Sequence, residues 1–166
     1  MTFNSESEKP FSNQNYITIS HILKKLDGSD NLIIDGILAT VGDYKKIATE
    51  WLGNTITLVE MELSENQAKQ LVHWSGEYIN LHLCGHDNYD LSKFLNGIKN
   101  WNGKQITIGF SGEKLFRPEL VSSIKNVKYR KLRFYKCNIP KGIIDIIINA
   151  EPNLEIILSN PKDKKV

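Results

Sequence analysis

Six short segments of the chain share one pattern of apolar and polar positions. In each segment an apolar residue is followed two positions later by another apolar residue, and three positions after that by a small or apolar one. The alternation at the first two places is typical of a strand that buries one face. The segments are Leu32-x-Ile34-xx-Ile37, Ile56-x-Leu58-xx-Met61, Ile79-x-Leu81-xx-Cys84, Ile106-x-Ile108-xx-Ser111, Leu132-x-Phe134-xx-Cys137 and Leu154-x-Ile156-xx-Ser159. Their first residues lie 24, 23, 27, 26 and 22 positions apart, so the pattern predicts six repeats of one unit.

Between these segments the apolar residues change to a helical period, at i, i+3, i+4 and i+7. Examples are Ile19, Ile22, Leu23, Leu26; Tyr44, Ile47, Ala48, Trp51; Leu91, Phe94, Leu95, Ile98; and Ile143, Ile146, Ile147, Ala150. Ser64 followed by Gln67 predicts a capping box, and Pro118 and Pro140 suit first turns of later helices. Each unit is therefore predicted to be a strand followed by a helix.

A strand and a helix within 22 to 27 residues cannot bury both apolar faces alone, so neighbouring units must stack. The residues between the apolar strand positions are mostly polar, which predicts a sheet with one uncovered face. They include Thr57, Asn80, His82, Thr107, Arg133 and Glu155. The alternative is an ordinary α/β domain, such as a flavodoxin-like fold, whose strands are covered on both faces and have continuous apolar runs.

The pattern resembles the leucine-rich-repeat family, whose unit is LxxLxLxx(N/C)xL followed by a helix. The stretch from Tyr129 to Ile139 matches best, with Leu132, Phe134 and Cys137 at motif positions. The resemblance implies an α/β solenoid of about six repeats, with a parallel sheet on the concave face and helices on the convex face. It also implies a non-enzymatic protein-protein interaction module.

Composition adds limits to this picture. The 166 residues are predicted to form a polar segment at 1–16, one repeat domain at 17–160 and a charged tail at 161–166. The net charge of +2 does not indicate a nucleic-acid partner. Apolar runs are too short for a membrane span and no secretory signal is apparent. The expected location is therefore the cytoplasm, with an exported effector as the alternative.

One cluster of reactive side chains lies near a predicted strand end: His82, Cys84, His86 and Asp87. It supports the alternative function, a small α/β enzyme or ligand-binding domain. The repeat places Cys84 toward the core and His82 outward, which argues against a metal site. Cys84 and Cys137 occupy equivalent places two strands apart, roughly 9.5 Å, so we expect buried free thiols. No cofactor, metal or catalytic motif is predicted.

The uncovered sheet face is the predicted contact with a partner protein. Its richest part spans the third to fifth strands, where tyrosine and arginine, common at binding hot spots, neighbour polar side chains. The predicted contact residues are Tyr78, Asn80, His82, Gln105, Thr107, Lys131, Arg133 and Tyr135. The last strand, Leu154 to Leu158, is expected to form an exposed apolar edge. A monomer is favoured, with a homodimer through that edge as the alternative.

Overall fold

The computed structural model describes residues 19–25, 30–35, 39–61, 63–82, 88–109, 118–126, 131–135, 141–150 and 154–159. The predicted N-terminal segment 1–16 and tail 161–166 lie outside this part of the chain, as do Cys84, His86, Asp87 and Cys137.

Helices and strands alternate throughout the described chain. The helices are α1 (Ile19–Lys25), α2 (Val41–Glu50), α3 (Glu65–Leu71), α4 (Asn88–Ile98), α5 (Pro118–Lys125) and α6 (Lys141–Ala150). The strands are β1 (Asn31–Asp35), β2 (Thr55–Val59), β3 (Tyr78–His82), β4 (Gln105–Gly109), β5 (Lys131–Tyr135) and β6 (Glu155–Ser159). The chain is therefore an α/β protein.

All six described strands form one parallel sheet in the order β1-β2-β3-β4-β5-β6. Each strand pairs with the strand that follows it along the chain. The predicted apolar positions of the first five repeats lie in register across this sheet: Leu32, Ile56, Ile79, Ile106 and Leu132 in one column, and Ile34, Leu58, Leu81, Ile108 and Phe134 in the next.

The predicted alignment of the sixth repeat is wrong by two residues. Leu132 pairs with Ile156, not with Leu154, and Arg133 lies opposite Ile157 rather than Glu155. Apolar residues at 154, 156, 157 and 158 fit either alignment, so the sequence pattern alone does not distinguish them. With Ile156 as the equivalent position, the last spacing becomes 24 residues, since 156 − 132 = 24.

The final strand is less exposed than the sequence pattern predicts. Leu154 is buried, and Ile156 and Ile157 are half-buried. Ile156 packs against the hydrophobic core. Among the described strands β6 lies at the edge of the sheet, as predicted, but the apolar side chains along this edge are less exposed than expected.

The helices form one layer on one face of the sheet. Each helix contacts the next along the chain, from α1 to α6. Helices on opposite faces would be separated by the sheet, so these contacts place all six on the same side. One apolar cluster fills the space between the layers and joins Leu23 of α1, Phe94 of α4 and Ile147 of α6 to the inward strand residues.

Side-chain caps fix where two of these helices begin. Ser64 accepts a hydrogen bond from the Gln67 N–H at 3.2 Å, and the Gln67 side chain accepts one from the Ser64 N–H at 2.9 Å. This confirms the predicted capping box. Thr40 and Asp43 form a second capping box at the start of α2, with Asp at the third helical position, where the usual motif has Glu or Gln.

A Trp-x-Gly sequence recurs at one place in three repeats. Trp51, Trp74 and Trp101 each lie four residues before the first residue of a strand, and all three are buried. The rings of Trp74 and Trp101 stack, with centroids 5.9 Å apart and planes 3° apart. The tryptophans therefore pack in the core.

The entry to each central strand repeats one backbone hydrogen-bond arrangement. The Asp30 carbonyl accepts from the N–H groups of Asn54 and Thr55, at 3.0 and 2.9 Å. In the same way, the Asn54 carbonyl accepts from Glu77 and Tyr78, and the Glu77 carbonyl accepts from Lys104 and Gln105. Successive units are therefore joined by equivalent contacts as well as by the strand ladder.

Candidate interaction surface

The face of the sheet opposite the helix layer carries the first, third and fifth residues of each strand. In β1 these positions are exposed, whereas Leu32 and Ile34 between them are completely buried. Arg133 in β5 is likewise exposed between Leu132 and Phe134, which are buried. No described helix covers this face. We call it the open face.

Eight predicted contact residues and one glycine form a contiguous patch at the centre of the open face. The strand register arranges them in three rows: Tyr78, Gln105, Lys131; then Asn80, Thr107, Arg133; then His82, Gly109, Tyr135. Strand spacing and rise make these nine positions about 10 Å by 13 Å. The backbone places Tyr135 in the third row, and its side chain lies outside the described part. We call these nine positions the open-face patch.

Amide side chains bridge neighbouring strands on this face. The Thr57 hydroxyl donates to Asn31 Oδ1 at 3.1 Å and accepts from Asn80 Nδ2 at 3.1 Å. Gln105 Nε2 donates to the Thr107 hydroxyl at 3.0 Å. The first two contacts join β1, β2 and β3, whereas the bond from Gln105 to Thr107 lies within β4.

The two threonines are consequently less accessible than open-face positions suggest. Thr57 is 8% exposed and Thr107 is 9% exposed. Thr107, predicted as a contact residue, is therefore mostly covered, and Gln105 provides the accessible polar group beside it. Asn31 and Thr57 belong to the same polar ladder but are not among the predicted contact residues. Their equivalent positions on adjacent strands are the sequence signal that identifies them.

His82 lies across Gly109 in the neighbouring strand. A Cβ added to Gly109 would be only 2.9 Å from His82 Nδ1. The missing side chain thus provides the space that the imidazole occupies. At the other edge of β3, the His82 carbonyl accepts from the Glu60 N–H at 2.9 Å, and Glu60 has a φ of 50°. This left-handed residue extends the backbone pairing beyond the end of β2.

Charged side chains of the patch lie on β5. Lys131 Nζ is 3.0 Å from a carboxylate oxygen of Glu155, its register partner on β6. Arg133 is exposed on the next row. Tyr78 and Asn80 on β3 are half-buried. The patch therefore has a neutral, amide-rich side and a basic side whose lysine has an acidic neighbour.

A second polar group marks the beginning of the strands. Lys104 contacts the Glu77 carboxylate, and Asn54 Nδ2 donates to it at 3.4 Å. The hydrogen bond from Lys104, together with its charge, holds the pKa of Glu77 below its ordinary value, against a smaller opposing effect of desolvation. The group joins the second, third and fourth units, because its residues directly precede β2, β3 and β4.

The strand-end cluster proposed for the alternative function is only partly described. His82 belongs to the open-face patch, whereas Cys84, His86 and Asp87 lie outside the described residues. Among the residues that are described, no group of three or more His, Cys, Asp or Glu is arranged to hold a metal ion. The expected buried state of the two thiols stays a prediction.

No family model, curated protein or solved structure matches the chain. None of the described helices combines the length and the apolar content of a membrane-spanning segment.

Proposed function

We propose that this chain is a non-enzymatic protein-protein interaction module that binds its partner through the open-face patch. The observation that carries the proposal is the contiguity of the patch on three adjacent strands of a one-sided sheet. A rigid surface of this kind presents fixed side chains at low entropic cost. Tyr78 and Arg133 supply residue types that are enriched at binding hot spots.

The proposal includes a leucine-rich-repeat-like solenoid, with the sheet on its concave face and the helices on its convex face. Three features support it: the sequential strand order, the single helix layer and the recurring strand-entry hydrogen bonds. Contacts between successive units alone are the organisation expected of a solenoid. The cytoplasmic location, with export as the alternative, and the monomeric state stay predictions.

Affinity capture with paired variants tests this function. The wild-type chain, an Arg133→Ala, Tyr135→Ala variant and a Lys45→Ala, Lys46→Ala control would be immobilised, and bound proteins would be identified by mass spectrometry. Lys45 and Lys46 are exposed on α2, so the control removes two side chains from the opposite layer.

We expect a protein captured by the wild type and by the α2 control, with loss of about tenfold or more for the sheet-face variant, because truncating a hot-spot pair removes about 1.4 kcal/mol or more. Equal capture by the sheet-face variant would contradict the proposed function. Circular dichroism would verify that all three chains are folded.

A further inference from the structure

A cleft of about 550 Å³ lies between α3 and α4, on the helix layer and away from the open-face patch. Its floor is the close approach of the two helices at Gly97. A Cβ at Gly97 would be 2.5 Å from the Glu65 carbonyl oxygen and 2.7 Å from the Ala68 Cβ. The glycine thus fixes the depth of the cleft through backbone contact rather than through mobile side chains.

The walls of this cleft carry more positive than negative charge. Lys69, His73 and Lys99 line it together with a single carboxylate, Glu65. Lys69 Nζ lies 2.6 Å from that carboxylate. The Lys69 hydrogen bond and charge, with smaller effects of Lys99 and Lys93, hold the pKa of Glu65 below its ordinary value. Three lysines therefore lie near one carboxylate.

We propose that this cleft binds a ligand carrying a phosphate group. Lys69 and Lys99 supply the charge, and His73 and the amides of Asn96 and Asn100 supply further hydrogen-bond donors. The Lys69–Glu65 pair is solvent-exposed, so turning Lys69 Nζ from the carboxylate to a phosphate costs little, although Glu65 stays charged and lowers the gain.

The size of the cleft indicates more than a bare anion. A volume of about 550 Å³ falls in the range of small-molecule pockets. Val72 adds an apolar part to the wall. The ligand therefore combines a phosphate with an organic group, which is either a small molecule or a phosphorylated side chain of another protein.

Amide NMR titrations of the full chain test this site and separate the two sources. The probes are phenyl phosphate, a short phosphoserine peptide and inorganic phosphate, each at an ionic strength matched with sodium chloride. We expect saturable shifts at Val72, Gly97 and Asn100 with one of the two organic phosphates, and weaker binding of inorganic phosphate. Tighter binding of phenyl phosphate identifies a small-molecule ligand; tighter binding of the peptide identifies a phosphoprotein.

Paired lysine variants decide whether the binding belongs to the cleft. Lys69→Gln with Lys99→Gln is expected to raise the Kd about tenfold, the effect of losing charge-assisted contacts. Lys45→Gln with Lys46→Gln on α2 removes the same charge and is expected to leave the Kd within about twofold. Equal weakening in both variants, shifts that follow ionic strength alone, or equal affinity for all three probes would overturn the proposal.

Discussion

In two of the Trp-x-Gly sequences, contact with the preceding tryptophan requires the glycine. A Cβ at Gly103 would be 1.9 Å from Trp101 Cζ2, and a Cβ at Gly76 would be equally close to Trp74 Cζ2. The Trp74 and Trp101 rings are both buried, so they cannot move without disturbing the core. The glycine therefore allows the indole to fold back over its own backbone.

We predict that Gly103→Ala lowers the free energy of unfolding by about 1–3 kcal/mol, the usual cost of overpacking. Gly142 in α6 provides the control, because a Cβ there has no neighbour within 4 Å. Gly142→Ala should raise stability by about 0.4–1 kcal/mol, because alanine restricts the unfolded chain more than glycine does. Urea denaturation of both variants measures the contrast; equal effects would contradict this account of the glycine.

A pH-dependent contribution is expected from Glu77. Because Lys104 lowers the pKa of Glu77 in the folded chain, the pair stabilises the fold above the ordinary carboxyl pKa. This contribution is lost as the pH falls through the lowered pKa. Lys104→Met should therefore raise the pKa of Glu77 in a carboxyl NMR titration. It should also destabilise the chain at neutral pH, with the difference from the wild type disappearing in acid. An unchanged Glu77 pKa would show that the pair does not form in solution.

At the scale of elements, stacking of the two tryptophan-bearing connections joins neighbouring units. Trp101 Nε1–H donates to the Trp74 carbonyl at 3.2 Å. The Trp74 Nε1–H is buried and has no hydrogen-bond partner among the described residues. The two stacked rings therefore differ in one respect: the Trp101 indole N–H makes a hydrogen bond and the Trp74 indole N–H makes none among the described residues.

We predict that Trp101→Phe destabilises the chain by about 1 kcal/mol more than Trp74→Phe does, because only the first change removes a hydrogen bond and leaves a carbonyl unpaired. Both variants shorten the ring by a similar amount, so each serves as the control for the other. Thermal and urea unfolding give the comparison. A larger loss for Trp74→Phe would contradict the hydrogen-bond assignment.

The alignment of the last two strands makes a separate prediction. Lys131→Glu should destabilise the chain slightly, by about 0.5 kcal/mol, and Glu155→Lys in the same chain should restore the loss, because these two residues pair directly. Arg133→Glu should not be rescued by Glu155→Lys. Rescue of Arg133→Glu instead would support the alignment that the sequence pattern suggested.

At the scale of the whole molecule, recurrence made the strands predictable. Five aligned apolar pairs, such as Leu132 with Phe134, identify the inward positions correctly, because side chains alternate along a strand. The sixth repeat was misaligned because Leu154 and Ile156 are both apolar, so the period alone allowed a shift by two. In the observed register Ile156 packs against the core and Lys131 pairs with Glu155, and both contacts depend on tertiary neighbours that the period does not contain.

The candidate site was predictable to a different degree. Strand alternation was sufficient to select the open-face patch, including Tyr78 and Arg133. It could not show that Gln105 covers Thr107 or that His82 occupies the space above Gly109, because side-chain conformation depends on neighbours distant in sequence. The cleft between α3 and α4 could not be predicted from the sequence, because its residues share no motif and are brought together only by helix packing.

Photo-cross-linking tests the central claim, that the open-face patch is the partner-binding surface. A photoreactive residue would replace Arg133 in the patch or Lys46 on α2, in otherwise wild-type chains. Both positions are exposed, so the two probes differ in the layer they report. We predict cross-links to a partner protein from position 133 and none from position 46. Cross-links from position 46 without any from position 133 would contradict the claim and place the binding surface on the helices.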